Sequence, residues 1–247
     1  MQSGGDFSQL EELISGDSSV IGEFLAAPVS LKTNQVYKIE NYGSSMAPFY
    51  STLSIWIGGI VLVAMLKTGV STKCAEGLKK VKPHQEYLGR YLLFMIVGLL
   101  QSTLICLGDL LYLGVQCKHP FLFMLAGWFS SIVYVTIIYT LTVSFGDIGK
   151  AVSVVLLVMQ VAGSGGTFPI EVAPAFFKAV YPLLPFVHSM AAFRETIGGM
   201  YGMTYWTELG KLGIFLLLSL ILGLLLRKPV IRMNEVFAEK LEETKIM

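Results

Sequence analysis

Five long apolar stretches, separated by short polar ones, follow one another along this chain of 247 residues. They cover residues 49–66, 91–113, 121–145, 151–170 and 204–226. Four of them hold about 18 or more residues with few charges, the length at which a helix crosses the hydrocarbon layer of a membrane at about 1.5 Å per residue. The pattern therefore predicts an all-α protein, a polytopic bundle of five transmembrane helices.

The fourth stretch differs from the others because its continuous apolar part ends at Gly163. Residues 151–163 span only about 20 Å as a helix. The glycine-rich residues that follow, up to 170, are needed to complete a crossing. This predicts a short or broken fourth span.

The residues between the fourth and fifth stretches predict two short helices at the outer face, re-entrant or interfacial. One begins at Pro174 and ends near Pro182, and the other follows Pro185 and ends at Gly198, with apolar residues at helical spacing in both. Two interpretations stay open, a surface cover over the bundle and an outer gate. The candidate gate residues are Gly165, Gly166, Phe168, Pro169, Pro174, Pro182, Pro185, Arg194 and Glu195.

The basic residues predict the orientation, because loops rich in Lys and Arg stay in the cytoplasm. Most of them lie in residues 67–90 and after residue 226. We therefore expect the amino terminus outside and the carboxy terminus in the cytoplasm. Residues 1–45 would end an extracellular domain, 46–230 would form the transmembrane domain and 231–247 a cytoplasmic tail. Since no signal precedes the translocated residues, we expect the chain to be the carboxy-terminal part of a longer protein.

Composition supports the membrane interpretation and excludes several function classes. Hydrophobic residues make up 54% of the chain and charged residues 14%, against about 25% charged in soluble domains, and the mean hydropathy is +0.66. A net charge of +1 with dispersed Lys and Arg does not favour a nucleic-acid partner. The sequence has no phosphate-binding loop, no G-x-S-x-G and no Cys or His spacing typical of metal sites. We expect no enzymatic activity, cofactor or metal.

Three polar residues fall inside the predicted spans: Gln101, Asp109 and Gln160. We interpret Gln101 and Gln160 as interhelical hydrogen-bonding groups. Asp109 is interpreted as an interfacial carboxylate that faces the bundle, with a proton relay or a coupling-ion site as the alternative. The relay is disfavoured because no other acidic residue or His is expected inside a span.

Three motifs carry a resemblance to a known family: FLAAPV at residues 24–29, NYGSSMAPFYSTLSIWIGG at 41–59 and GGTFPIEVAPAFFKAVYPLLPFVHSMAAFRETIGG at 165–199. They resemble the YhgE/Pip (phage infection protein) family, which is similar to ABC type-2 transporter permeases. The resemblance implies a Gram-positive cell membrane, a separate ATP-binding subunit, a homodimer, and phage or secretion-system proteins as further partners.

Two functions follow from the resemblance and stay open. One is the permease component of an exporter with a separate ATPase, in which Lys79, Lys80, Lys82 and Arg90 would form a cytoplasmic coupling loop. The same basic residues would equally suit anionic lipid headgroups. The other is a non-transporting envelope protein, a phage receptor or a scaffold associated with type VII secretion.

Overall fold

The computed structural model describes residues 37–68 and 83–224, and these ranges contain seven α-helices and no strand. A π-helical turn, Gly108–Tyr112, extends the second helix, and 3-10 turns at Ile170–Val172 and Tyr181–Leu183 flank the fifth. The prediction of an all-α bundle is confirmed. The helices are α1 Tyr42–Met65, α2 Pro83–Leu107, α3 Pro120–Phe145, α4 Asp147–Gly163, α5 Ala175–Val180, α6 Pro185–Gly198 and α7 Thr204–Leu224.

Within the described ranges, four helices are long and apolar enough to cross a membrane: Tyr42–Met65, His84–Tyr112, Pro120–Phe145 and Thr204–Leu224. The count becomes five if the bent pair Ala175–Leu183 and Pro185–Gly198 forms one span. Helix α4 occupies the place of the predicted fourth span, but it has 17 residues and reaches only about 25 Å. It is not among the four, so a crossing over residues 151–170 stays a prediction.

Three helices, α1, α2 and α4, begin four or more residues earlier than the hydropathy pattern indicated. Helix α1 starts at Tyr42 because the side chain of Asn41 caps it, accepting a hydrogen bond from the Ser44 amide at 2.8 Å. Pro48 is tolerated near that end because it removes only one backbone hydrogen bond. Helix α4 starts at Asp147, directly after Gly146, whose φ of 62° reverses the chain within one residue.

Helix α3 is the centre of the bundle and contacts α1, α2, α4, α6 and α7. Halfway along it, the buried Tyr134 ring packs on Trp56 of α1 with centroids 5.0 Å apart, and both rings contact Phe186 of α6 at 5.7 Å. Hydroxyl pairs join α3 to α2, with Tyr87 to Thr140 and Tyr91 to Thr136 each at 2.7 Å. Interhelical hydrogen bonds and aromatic packing together therefore hold the centre of the bundle.

The helices alternate in direction, which defines two ends of the bundle. At the upper end, where α1, α3 and α7 begin, Tyr205 donates its hydroxyl hydrogen to the Leu122 carbonyl at 2.8 Å. At the lower end, Arg90 Nε donates to the Lys67 carbonyl at 2.7 Å and joins α1 to α2. The predicted extracellular residues 1–36, loop residues 69–82 and tail residues 225–247 lie outside the described residues.

Candidate functional site

The segment between α4 and α7 enters the bundle and returns to the same end. Residues Ala175–Leu183 are bent by 73° relative to α6. Helix α6 begins where Phe186 contacts Trp56 and Tyr134, about midway along α1 and α3. It ends at the upper end, where the Thr196 carbonyl accepts hydrogen bonds from the amides of Lys118 and His119 at 3.0 and 3.1 Å. Helix α6 therefore extends from the middle of the bundle to its upper end, as one limb of a bent pair that is a broken span or a re-entrant loop.

Helix α6 lies in the core of the bundle, whereas α5 lies on its surface. Twelve of the 14 residues of α6 are buried, and α5 has no buried residue. A surface cover, one of the two predicted interpretations, describes the position of α5, whereas α6 lies inside the bundle, and the outer gate stays a prediction. The polar side chains of α6, among them His188, Ser189 and Glu195, make their hydrogen bonds to neighbouring parts of the chain.

The lower end of α6 is held largely by uncharged polar groups. The Phe186 amide donates to Gln160 Oε1 of α4 at 3.2 Å, and the Ser189 hydroxyl lies 2.6 Å from Tyr134 Oη and 2.9 Å from Ser130 Oγ. Gln160 Nε2 is buried and makes no hydrogen bond with the described residues. The same is true of Ser164 Oγ and Thr52 Oγ1. Polar atoms in this part of the bundle are thus only partly paired.

The upper end of α6 is held by charged groups. Glu195 is fully buried and accepts hydrogen bonds from the Tyr37 hydroxyl and from the Tyr201 amide, the latter at 2.5 Å. Burial, together with the hydrogen bond to Glu195, raises the pKa of Tyr37 to about 12. Arg194 donates to the Gly165 carbonyl at 3.4 Å. These contacts join α6 to the residues before α1, to the turn after α4 and to the start of α7.

The other candidate gate residues divide between core and surface. Gly165 has a φ of +66°, which favours glycine, and Gly166 lies against the Phe49 ring of α1. Pro185 is buried in the first turn of α6. The remaining four, Phe168, Pro169, Pro174 and Pro182, are exposed. The structure therefore brings Arg194 and Glu195 to the glycine-rich turn and leaves these four on the outer side of the segment.

A buried His and Glu pair was missed from the sequence. His188 of α6 lies 2.6 Å from Glu208 of α7 through Nδ1, and 3.0 Å from the Pro182 carbonyl through Nε2. Lys211 also donates to Glu208, at 2.6 Å. The expectation that no other acidic residue or His lies within a span is wrong, because Glu208 falls inside the predicted span 204–226. A charged residue inside an apolar stretch was the available signal.

The three predicted intramembrane polar residues each lie against another helix. Gln101 of α2 lies beside Gly58 of α1. Asp109, in the π-helical turn, lies 2.5 Å from the Ser51 hydroxyl of α1. Gln160 joins α4 to α6. Of the predicted coupling loop, Arg90 is described at the lower end, while Lys79, Lys80 and Lys82 lie outside the described residues.

The site consists mainly of hydrogen-bonding side chains and backbone groups of α6 and its neighbours. Within residues 37–68 and 83–224, no group of three or more His, Cys, Asp or Glu side chains is placed to hold a metal ion. Burial raises the pKa of the Cys117 thiol near the upper end, so it is a poor nucleophile. What the site offers instead is a short helix whose polar contacts at both ends involve four neighbouring parts of the chain.

Comparison with known proteins gives two matches. Residues 7–225 match the family described as ABC-2 family transporter protein. The chain is 29% identical over 200 residues to the uncharacterized protein YhgE of Bacillus subtilis (strain 168). The aligned residues make up 81% of this chain and 25% of that relative. The chain thus spans about a quarter of the length of that relative. No solved structure matches. The resemblance drawn from the sequence motifs is confirmed.

Proposed function

This chain belongs to the ABC-2 family of transporter proteins, and on that premise we propose that it is the permease component of an exporter driven by a separate ATPase. Membership makes it a permease-type, multi-pass membrane component. The observation that carries the export mechanism is the position of α6, whose first turn lies halfway along the bundle, next to a glutamine with an unpaired amide nitrogen.

In this proposal, residues 165–199 form the external gate. Apart from the His188 contact with the Glu208 carboxylate, the lower end of α6 is held by uncharged hydrogen bonds, each contributing about 0.5–1.5 kcal/mol. The unpaired polar atoms of Thr52, Gln160 and Ser164 nearby favour a second arrangement in which they acquire partners. Displacement of α6 would open a polar path along Ser130 and Tyr134 of α3. Alternating access would then consist of exchange between these two positions of α6.

We further propose that the upper end faces outside and that a homodimer forms the pathway, with the ATPase at the lower end next to residues 67–90. The basic residues of that loop and of the tail support this orientation. Labelling of intact cells with a membrane-impermeant maleimide tests it. Tyr201→Cys, at an exposed upper position, should react in intact cells. Asp147→Cys, at an exposed lower position, should react only after permeabilisation. The reverse result would contradict the orientation.

Copurification tests the export proposal against the alternative of a non-transporting envelope protein. A pull-down of the tagged chain from its host in mild detergent should recover a nucleotide-binding subunit. Recovery of phage or secretion proteins without such a subunit would favour the receptor or scaffold function.

The gate is tested on the recovered complex by its ATP hydrolysis rate. Arg194→Ala removes the contact of α6 with the Gly165 carbonyl, and Pro169→Ala loosens the turn before α5. Both should change the rate several-fold at equal membrane abundance. Lys178→Ala, an exposed residue of α5, is the matched control and should leave it unchanged. Equal rates in all three variants would argue against a gate in this segment.

A further inference from the structure

A pocket of about 370 Å³ lies at the upper end of the bundle, between the start of α1 and the end of α2. Its lining is mostly apolar or aromatic, with Tyr42, Met46 and Tyr50 from one side and Leu113 from the other. Asp109 is its one acidic lining residue. A pocket of this size accepts a headgroup or a small molecule and is too small for a whole lipid.

The Asp109 carboxylate has no basic partner in the described part of the chain. The ion pairs there join Lys150 to Asp147 and join His188 and Lys211 to Glu208. A half-buried carboxylate without a cation is costly, and in membrane proteins such a group marks a functional position.

Ser51 is the one hydrogen-bond donor to the Asp109 carboxylate among the described residues. The Ser51 hydroxyl oxygen lies 2.7 Å from the Ala47 carbonyl oxygen and 2.5 Å from Asp109 Oδ2. A hydroxyl has one hydrogen to donate, so it satisfies only one of these two acceptors. Even when Ser51 donates to Oδ2, the other carboxylate oxygen, Oδ1, has no donor among the described residues and is left for a cation in the pocket.

The local backbone and the aromatic rings add two further observations. Asp109 lies in the π-helical turn Gly108–Tyr112, a backbone irregularity that occurs frequently at functional sites. Tyr50 and Tyr42 line the same pocket, with 57% and 78% of their side-chain surface exposed. Aromatic faces beside a carboxylate form an environment that attracts an organic ammonium group.

We propose that this pocket binds the ammonium group of an organic amine, with Asp109 as the counter-ion and Tyr50 as an aromatic wall. The amine is either a free small molecule or the headgroup of a membrane lipid, and both present the same chemistry to the carboxylate. A single carboxylate with apolar neighbours does not suit Mg²⁺ or Ca²⁺, which take several oxygen ligands. The site goes beyond the export proposal, since it binds its ligand whether or not the ligand is transported.

Binding to the purified full chain in a neutral maltoside detergent tests the proposal. Benzyltrimethylammonium, titrated as the soluble probe, should bind saturably. Asp109→Asn keeps the side-chain shape and removes the charge, so it should weaken this binding at least tenfold. Asp147→Asn, at an exposed acid of the lower end, is the matched control and should leave the affinity unchanged. Equal binding to wild type and Asp109→Asn, or no binding of the probe to wild type, overturns the proposal.

A second arm distinguishes the source of the ammonium group. Native mass spectrometry should show whether wild type retains phosphatidylethanolamine more than Asp109→Asn does, with phosphatidylglycerol retained equally by both. That result identifies a lipid headgroup, and probe binding without it identifies a free amine. If Asp109→Asn does not elute as a folded protein, Tyr50→Leu replaces it. Its expected loss is several-fold, and an unchanged affinity in Tyr50→Leu would then overturn the proposal.

Discussion

Helices α6 and α7 are neighbours in sequence and in space, yet they differ in how much of each is buried and in whether polar side chains are buried with it. Helix α6 has 14 residues, twelve of them buried, including His188, Ser189 and Glu195. Helix α7 has 21 residues, of which only Tyr205, Leu209, Leu212 and Gly223 are buried. The shorter and more polar helix therefore lies in the core, and the longer apolar helix lies at the edge.

This difference reflects the solvent of a membrane protein. Lipid tails accept an apolar helix face without cost, so hydrophobicity alone does not drive a helix into the bundle. Polar side chains and helix ends need partners that only the protein interior supplies. The contrast predicts that the polar contacts of α6 contribute strongly to the stability of the folded protein and that the polar side chains of α7 contribute little.

The largest expected effect is that of Glu195→Ala. It leaves the Tyr37 hydroxyl and the Tyr201 amide without their buried acceptor, which should cost about 2–4 kcal/mol of stability. The thermal midpoint of the purified chain in detergent should fall by several degrees. Glu171→Ala, at an exposed site on the same segment, is the control and should change stability by less than about 0.5 kcal/mol. Equal thermal midpoints for Glu195→Ala and Glu171→Ala would contradict the claim that α6 depends on its polar contacts.

The next-largest difference in stability is expected when a glycine of each helix is replaced by alanine. In α6, a Cβ on Gly198 would lie 2.7 Å from Tyr37 Cβ, whereas a Cβ on Gly210 of α7 has no atom within 4 Å. Gly198→Ala should therefore cost about 1–3 kcal/mol. Gly210→Ala should stabilise by up to about 1 kcal/mol through its higher helix propensity. Thermal unfolding of both variants measures the difference. An equal fall in the thermal midpoint for Gly210→Ala and Gly198→Ala would contradict the expected contrast between the two helices.

A smaller effect is expected for a single hydroxyl. Ser189→Ala removes the partner of the Tyr134 and Ser130 hydroxyls, so it should cost about 1–2 kcal/mol. Ser219→Ala, at a half-buried position of α7, should change stability by less than about 0.5 kcal/mol. If unfolding shows the two serines to be equivalent, polar burial is not what holds α6.

The smallest expected effect is a pH dependence at the upper end of α6. Because the pKa of Tyr37 is raised to about 12 in the folded protein from 10.0, its neutral form stabilises the fold fully below pH 10. That contribution is lost as the pH rises from 10 to about 12. The midpoint should therefore fall less over this window in Tyr37→Phe than in wild type. Identical pH profiles would show that the contact with Glu195 does not contribute.

The starts of α5 and α6 and the end of α6 could be predicted from the sequence because the signals that set them are local. Pro174 and Pro185 set the starts of α5 and α6, and Gly198 ends α6 as predicted, since proline and glycine act on the backbone at their own positions. The start of α1 was missed by seven residues, because hydropathy does not register the capping side chain of Asn41.

Sequence alone determined that this chain is an all-α membrane bundle with two short, proline-bounded helices before its last long helix, because apolar length and proline spacing are properties of consecutive residues. Only the tertiary structure decided that α6 lies in the core and which polar groups meet there. Tyr37 and Glu195 are 158 residues apart, and Ser51 and Asp109 are 58 apart. Hydropathy cannot distinguish a lipid-facing leucine from a buried one, and the partner of a buried carboxylate is set by helix packing rather than by its neighbours in the chain.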